Sequence, residues 1–446
     1  MEQNKMESMP MPKLILDMTV PLAASLLIQS LYNIVDSIFV AKIGENALTA
    51  VSLAYPVQIV MVAVAVGTSV GVNSLLSRNI GAKHYEAANQ IASTGVFLAG
   101  CGFCLFMLLG IFCSSWFVSL FTSDEAIAGY CRQYLSICMI FCAGTFTATM
   151  FQRFLQAIGN TFDSMLCLTA GALTNLILDP ILIFGLLGLP EMGIRGAAIA
   201  TVIGQWADAF MAIALNRIRN PIIRISFHNF HPKKEFIPQI YKVGFPTILT
   251  QAMGSIMTAS VNAIFISFSS TAVVFFGVYY KLQNFLFMSM NGLGQAAIPI
   301  IGYNYGAKKN ERILYFYKTA LPAAVIISLA GTIIFLIFPK QLLMLFSAGT
   351  AMLAIGIPAL RIISISFVCA SITMVLGYSM SGLGNGLINM VSTSLRQLIL
   401  LLPSLYLLVK TAGLPYAWCA FWISEAAAVI YAVYASRKEL KKKHIL

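Results

Sequence analysis

Two acids interrupt long apolar runs of this chain. Asp36 stands in "NIVDSIFV" (33–40) and Asp179 in "NLILDPILIF" (175–184). A carboxylate at the centre of a bilayer-spanning helix costs roughly 2.5–3.5 kcal/mol on insertion scales, so its presence needs a reason. Neither acid is alone on its helix. Asn175 and Asp179 are four residues apart, Gln29, Asn33 and Asp36 fall at i, i+4, i+7, and Thr201, Gln205 and Asp208 repeat that spacing. Such spacing gathers polar groups on one helical face, and a polar face should turn away from lipid, toward the interior. Carboxylate, amide and hydroxyl oxygens suit a proton or a hard cation such as Na⁺, not a soft transition metal.

The elements that must position these oxygens follow from composition. The 446 residues are 59% hydrophobic and 10% charged, with a mean hydropathy of +0.84. Soluble domains carry about 25% charged residues, so the chain reads as an all-α integral membrane protein. Twelve spans are expected, at 14–40, 50–77, 91–121, 131–152, 161–187, 194–216, 240–268, 274–302, 314–338, 356–381, 388–409 and 414–436. Asp36, Asp179 and Thr201 then lie at one level, roughly 9–12 Å from the outer boundary at about 1.5 Å per residue.

The net charge of +12 does not point to nucleic acid, because Lys and Arg concentrate on one side of the twelve-span arrangement. That side holds Lys5, Lys13, Arg78, Lys83, Arg153, the group from Arg217 to Lys242, Lys308, Lys309, Arg312, Lys318 and the tail from Arg437 to Lys443. By the positive-inside rule both termini are expected in the cytoplasm. The polar start "MEQNKMESMPMPK" shows no small-residue cleavage site, so no removable signal is expected.

Adding 225 to a residue number repeatedly returns the same residue. Pro21 pairs with Pro246, Tyr55 with Tyr280, Gln58 with Gln283, Gly81-Ala82-Lys83 with Gly306-Ala307-Lys308, and Gly188-Leu189-Pro190 with Gly413-Leu414-Pro415. Six spans per half is an even number, so the halves are parallel repeats of the kind that enclose an alternately opening site. The expected division is a first lobe (1–215), a basic linker (216–239), a second lobe (240–436) and a basic tail (437–446). The acids break the repeat: Asp36 pairs with Val261, Asn175 with Leu400 and Asp179 with Ser404. A scaffold that does without them in one half does not need them for folding.

Competing readings are structural. Asp179 precedes Pro180 and could bond backbone groups freed by a proline kink. Cys101-Gly-Phe-Cys104 lies in an apolar run without a second pair and reads as packing. "GTSVG" (67–71) matches a hydrolase elbow, yet sits mid-span with no strand before it, so close helix packing explains it and no enzyme activity is expected. Arg396 and Glu425 read as an intramembrane pair, and the role of Lys281 is open. Met253, Met257 and Met288 with Tyr279 could line a yielding substrate cavity, although ordinary packing also accounts for them.

The stretches "NIVDSIFVAKIGENALTAVSLAYP" (33–56), "SRNIGAKHYEAA" (77–88), "FLQAIGNTFDSM" (154–165), "NLILDPILIFG" (175–185), "GIRGAAIATVIGQ" (193–205) and "PIIGYNYGAKK" (299–309) resemble the multidrug and toxic compound extrusion (MATE) transporters over essentially the whole chain. The resemblance implies a bacterial cytoplasmic-membrane antiporter, with no cofactor beyond H⁺ or Na⁺, that expels organic cations or amphiphiles; membrane lipid and no nucleic acid is the expected surrounding, and a monomer the expected state. It also implies that Asp36, Asn175, Asp179 and Thr201 couple the ion, with Gln29, Asn33, Gln205 and Asp208 as supporting polar groups. Members with coupling acids on the seventh and tenth helices find no match here, where span 7 offers Asn262 and span 10 no acid. A lipid-linked oligosaccharide flippase of the same superfamily is the alternative. It would need a cavity dense in Arg and Lys, for which Lys281, Arg361 and Arg396 are the candidates.

Overall fold

The computed structural model describes residues 4–225 and 230–446, so positions 226–229 of the expected linker and residues 1–3 lie outside the described residues. Every regular element among them is helical. The first half runs α1 (Lys5–Ser8), α2 (Met11–Ile43), α3 (Glu45–Gly81), α4 (Tyr85–Phe112), α5 (Ser114–Ser119), α6 (Glu125–Ile140), α7 (Ala143–Ala157), α8 (Thr161–Phe184) and α9 (Ile194–Arg219). The second runs α10 (Ile237–Ile266), α11 (Ser270–Gly306), α12 (Asn310–Ile337), α13 (Pro339–Met344), α14 (Thr350–Ser364), α15 (Phe367–Gly382), α16 (Gly386–Ser394), α17 (Leu401–Ala412), α18 (Leu414–Ala417) and α19 (Ala420–Lys442).

The repeat spacing reappears in the helix starts. α3 and α11 begin at 45 and 270, α4 and α12 at 85 and 310, α5 and α13 at 114 and 339, α6 and α14 at 125 and 350, α8 and α16 at 161 and 386. Local sequence explains several of these ends. Asp124 caps α6 by accepting from the Ala126 (2.9 Å) and Ile127 (3.1 Å) amides, and Ser269 caps α11 through the Ala272 amide (3.3 Å). Gly185, at φ +69°, stops α8 in the left-handed conformation that glycine adopts without strain.

Ten helical stretches among the described residues are long and apolar enough to cross a bilayer, and two bent pairs bring the number to twelve. The bends are the main departure from the expected spans. α6 and α7 meet at 46°, and α14 and α15 at 48°, where single helices were expected over 131–152 and 356–381. Breaks at Phe141–Cys142 and Ile365–Ser366 carry no Gly or Pro, so hydropathy ran through them. Span 91–121 likewise divides at Cys113, and the eleventh span contains a π-turn at Leu395–Ile399.

The halves meet where α3 packs against α10 and α11, and α2 against α11. Small residues permit that approach: a Cβ on Gly67 would lie 2.8 Å from the Gly244 carbonyl oxygen, which accounts for "GTSVG" as a packing motif. At the basic end, α1 is pinned to the second half. Glu7 accepts from Lys309 Nζ (2.8 Å) and the Tyr303 hydroxyl (3.1 Å), while Arg312 donates to the carbonyls of Met6 (3.1 Å) and Met9 (2.8 Å).

Candidate functional site

The interior of the first half gathers α2, α8, α9 and α6, with α2 packed on α8, α8 on α9 and α9 on α6. α8 and α9 approach closely because Gly171 and Gly204 face each other; a Cβ on Gly171 would stand 2.8 Å from the Gly204 carbonyl oxygen and 2.8 Å from Asp208 Cβ. That contact brings Asn175 and Asp179 on α8 beside Thr201 on α9. Asp179 is fully buried and Asn175 nearly so. With the Asn175 amide turned to donate to Asp179 Oδ2 at 3.2 Å, its oxygen accepts from the Thr201 backbone amide at 3.2 Å. The Thr201 hydroxyl donates to the Ala197 carbonyl at 2.9 Å.

Asp36 on α2 completes the group. Its carboxyl lies within hydrogen-bonding reach of the Asp179 carboxyl. Asp36 Oδ1 is buried with no partner among the described residues, and neither acid has a salt bridge there. The Asp179 side chain is bonded by the Asn175 side chain and not by backbone freed at Pro180. The proline-kink explanation of Asp179 therefore has no bond to rest on. Two carboxyls this close repel when both are charged, and a proton or a small cation between them removes the repulsion.

A cavity of about 280 Å³ opens beside this group, and Asn175, Thr201, Gln205, Gln29 and Asp208 line it. Gln205 Oε1 is buried without a partner among the described residues. Asp208 is already engaged: Gln152 Nε2 donates to both of its oxygens at 2.8 Å. Asn33 does not join them. It is exposed at the edge of that face, so the expected stripe on α2 reduces to Gln29 and Asp36.

Residues absent from the sequence reading also take part. Tyr134 on α6 is buried, with its hydroxyl near Gln58 and Thr201. Gln58 was visible as one of the positions kept at a spacing of 225, whereas a lone Tyr in an apolar run gave no signal. Arg153 was grouped with the charges at the basic end. Because α7 runs on to Ala157, Arg153 instead lies buried against the cavity, where its Nη1 donates to Gln156 (2.6 Å) and to Gln295 of the second half (3.0 Å).

In the second half, a cavity of about 250 Å³ has Met257 in its wall, but not Met253, Met288 or Tyr279. Tyr279 packs into an aromatic cluster, 5.7 Å from Phe421 and 6.0 Å from Phe276 between ring centroids. One residue further round the helix, Tyr280 faces the cavity in its place. Met253 Sδ accepts from the Ser394 hydroxyl at 3.3 Å. Arg396 and Glu425 do form the expected pair, with Nη2 to Oε1 at 2.8 Å. Lys281 and Arg361 are exposed, and Arg361 donates to the Leu336 carbonyl at 3.2 Å.

This arrangement can be set beside known proteins. Multidrug export protein MepA of Staphylococcus saprophyticus subsp. saprophyticus is 24% identical over 428 residues, covering 95% of this chain and 93% of its own. Multidrug export protein MepA of Staphylococcus aureus (strain NCTC 8325 / PS 47) is 24% identical over 447 residues, covering 97% and 96%. Among solved structures, a crystal structure of MATE in complex with MaL6 superposes with a TM-score of 0.92 at 24% identity, over 100% of both chains. The outward-facing conformation of a multidrug resistance MATE family transporter of the MOP superfamily superposes with a TM-score of 0.91 at 25% identity, over 100% of this chain and 99% of that one. The MatE family profile matches twice, over residues 21–181 and 246–407, with starts 225 residues apart. The chain belongs to the MatE family of membrane transporters.

Proposed function

We propose that the protein is a secondary active efflux transporter that exchanges H⁺ or Na⁺ for organic cations or amphiphilic drugs by alternating access. The facing carboxyls of Asp36, half-buried with Oδ1 unpartnered, and Asp179, fully buried, without a basic partner among the described residues, carry the reading. The pair is satisfied when a proton or cation sits between its oxygens, with Asn175 and Thr201 offering the neighbouring amide and hydroxyl. When the ion leaves, the acids repel, and the helices α2 and α8 that hold them favour a different spacing. The ion biases the conformation through that difference in affinity, and a drug acts on the same equilibrium by preferring the other conformation.

The names of the MepA relatives, which are multidrug export proteins, support drugs as the cargo. The two lobes, 1–215 and 240–436, would rock about the contact of α3 with α10 and α11, with the termini and the 216–239 linker in the cytoplasm of a bacterial cell and the chain acting as a monomer. A flippase for lipid-linked oligosaccharides would need a basic cavity. The cavities hold Arg153 and Arg396, each already bonded to side-chain oxygens, while Lys281 and Arg361 lie outside them.

Transport of a dye panel in proteoliposomes, driven by an imposed pH or Na⁺ gradient, tests the proposal. Gradient-dependent dye movement is expected with at least one of the two ions. Dye movement indifferent to both gradients would overturn the coupling.

A further inference from the structure

Each half carries a buried acid that the other lacks. Glu425 and Arg396 correspond, at a spacing of 225, to Ala200 and Gly171. A side chain at Gly171 would force α8 and α9 apart, since its Cβ would meet Gly204 and Asp208. The second half therefore departs from the shared packing to admit an arginine, and it does so at the π-turn Leu395–Ile399, which carries both Arg396 and Gln397. Such turns are frequent at functional sites because they re-aim side chains at the expense of regular bonding.

The pair is arranged asymmetrically. Glu425 Oε1 accepts from Arg396 Nε at 2.9 Å and faces Nη2 at 2.8 Å. Glu425 Oε2 is buried and has no partner among the described residues, although the residue is 94% buried and lines the 250 Å³ cavity. Gln397 Oε1, on the same wall, is likewise buried and unpartnered. A purely structural ion pair gains nothing by withholding donors from two buried acceptors, which are costly to leave unmade. The rest of the wall includes Phe421, Phe287, Tyr280 and Met257, flat or yielding apolar surfaces.

We infer that this cavity is a second ligand site, which binds uncharged aromatic amines by accepting their N–H groups on Glu425 Oε2 and Gln397 Oε1. The guanidinium on the other Glu425 oxygen balances its charge, so the site offers a strong acceptor without net attraction for a cation. A fixed cation inside the pocket would face Arg396 at close range. Uncharged donors suit it better, and the aromatic body lies against Phe421 and Phe287. The site shares no acid with the Asp36–Asp179 group, so the inference stands or falls apart from the ion-coupling proposal.

The test uses purified full-length protein in lipid nanodiscs and two fluorescent probes, 6-aminoquinoline and 6-(dimethylamino)quinoline, both uncharged at pH 7.5. Only the first donates N–H. Wild type should bind 6-aminoquinoline about tenfold more tightly or better, the usual effect of one hydrogen bond to a charged acceptor. Glu425→Gln, which leaves only neutral amide acceptors, should reduce the preference severalfold. Because Glu425→Gln strands Arg396, the double variant Arg396→Met, Glu425→Met serves as a folded control that keeps only the neutral Gln397 acceptor; adding Gln397→Met removes that too, and the triple variant should bind both probes equally. Phe421→Ala should weaken both probes alike. Equal binding of the probes by wild type, a preference undiminished in Glu425→Gln, or one that survives in the folded triple variant would overturn the inference.

Discussion

The two halves solve the problem of a buried carboxylate in opposite ways. In the first, Asp36 and Asp179 face each other and nothing basic among the described residues neutralises them. In the second, Glu425 is clamped by Arg396 across 2.8 Å. The helices around them follow one repeat, so the difference lies in the side chains and in the π-turn at Leu395–Ile399 that presents Arg396. An acid with a permanent counter-charge cannot respond sharply to an ion gradient, because its partner travels with it. An acid whose only possible neutraliser is mobile must respond. The asymmetry thus suits coupling in the first half and recognition in the second.

The largest effect expected from breaking the comparison is on transport. Asp179→Asn keeps the shape and removes the charge, so gradient-driven efflux should fall to background while membrane-inserted protein stays near the wild-type level. Quantitative immunoblotting beside the transport assay checks it, and protein loss matching a misfolded control would favour a structural role. Placing an acid at the sister position, Ser404→Asp, in that variant should not restore efflux, since the second half lacks the facing acid at Val261.

Next in size is the clamp itself. Arg396→Met should destabilise the protein by about 3–5 kcal/mol, because it strands a buried acid, whereas Arg396→Met with Glu425→Met should recover most of that loss. Thermal denaturation in detergent, followed for the single and double variants, reads the difference. A double variant as unstable as the single would mean that the cavity wall, not the charge balance, governs stability there.

Gly171→Ala should cost about 1–3 kcal/mol by forcing α8 from α9 where the added Cβ meets Gly204 and Asp208. The same thermal measurement applies, and an unchanged melting temperature would show that the helices yield freely.

The smallest effect concerns α1. Lys309 beside Glu7 holds that carboxyl below its ordinary value of 4.5. A lowered acid contributes stability that is present above that value and lost as pH falls through the folded value. The pinning of α1 should therefore weaken below pH 4.5. At neutral pH, Glu7→Gln should cost less than about 1 kcal/mol, as a partly exposed pair does. Hydrogen exchange of residues 5–9, faster in the variant at pH 7 and converging with wild type in acid, is the readout.

Much of the fold was legible because lipid imposes a coarse code. Span length and the spacing of 225 survive in sequence as runs of apolar residues and repeated Gly, Pro and Gln positions. The bends at Phe141–Cys142 and Ile365–Ser366 were not legible, since they arise from packing between helices and leave no Gly or Pro. Asp36, Asn175, Asp179 and Thr201 stood out by polarity and are brought together. Asn33 obeyed the same spacing and is exposed, because a residue four positions from Gln29 is rotated about 40° and α2 has only a narrow interior face. Arg153 was misplaced by five residues of unforeseen helix. Tyr134 was silent because a Tyr in an apolar run is indistinguishable from packing until the fold sets it near Thr201 and Gln58.

Ion coupling through one shared pair of acids is tested most directly by a double-mutant cycle on the ion response. A fluorescent reporter of lobe closure, titrated with pH and with Na⁺ in wild type, Asp36→Asn, Asp179→Asn and the double variant, measures it. Strong non-additivity is predicted, with either single variant losing the response and the double losing no more. Additive shifts from the two acids, or an intact response in the double variant, would contradict a shared site.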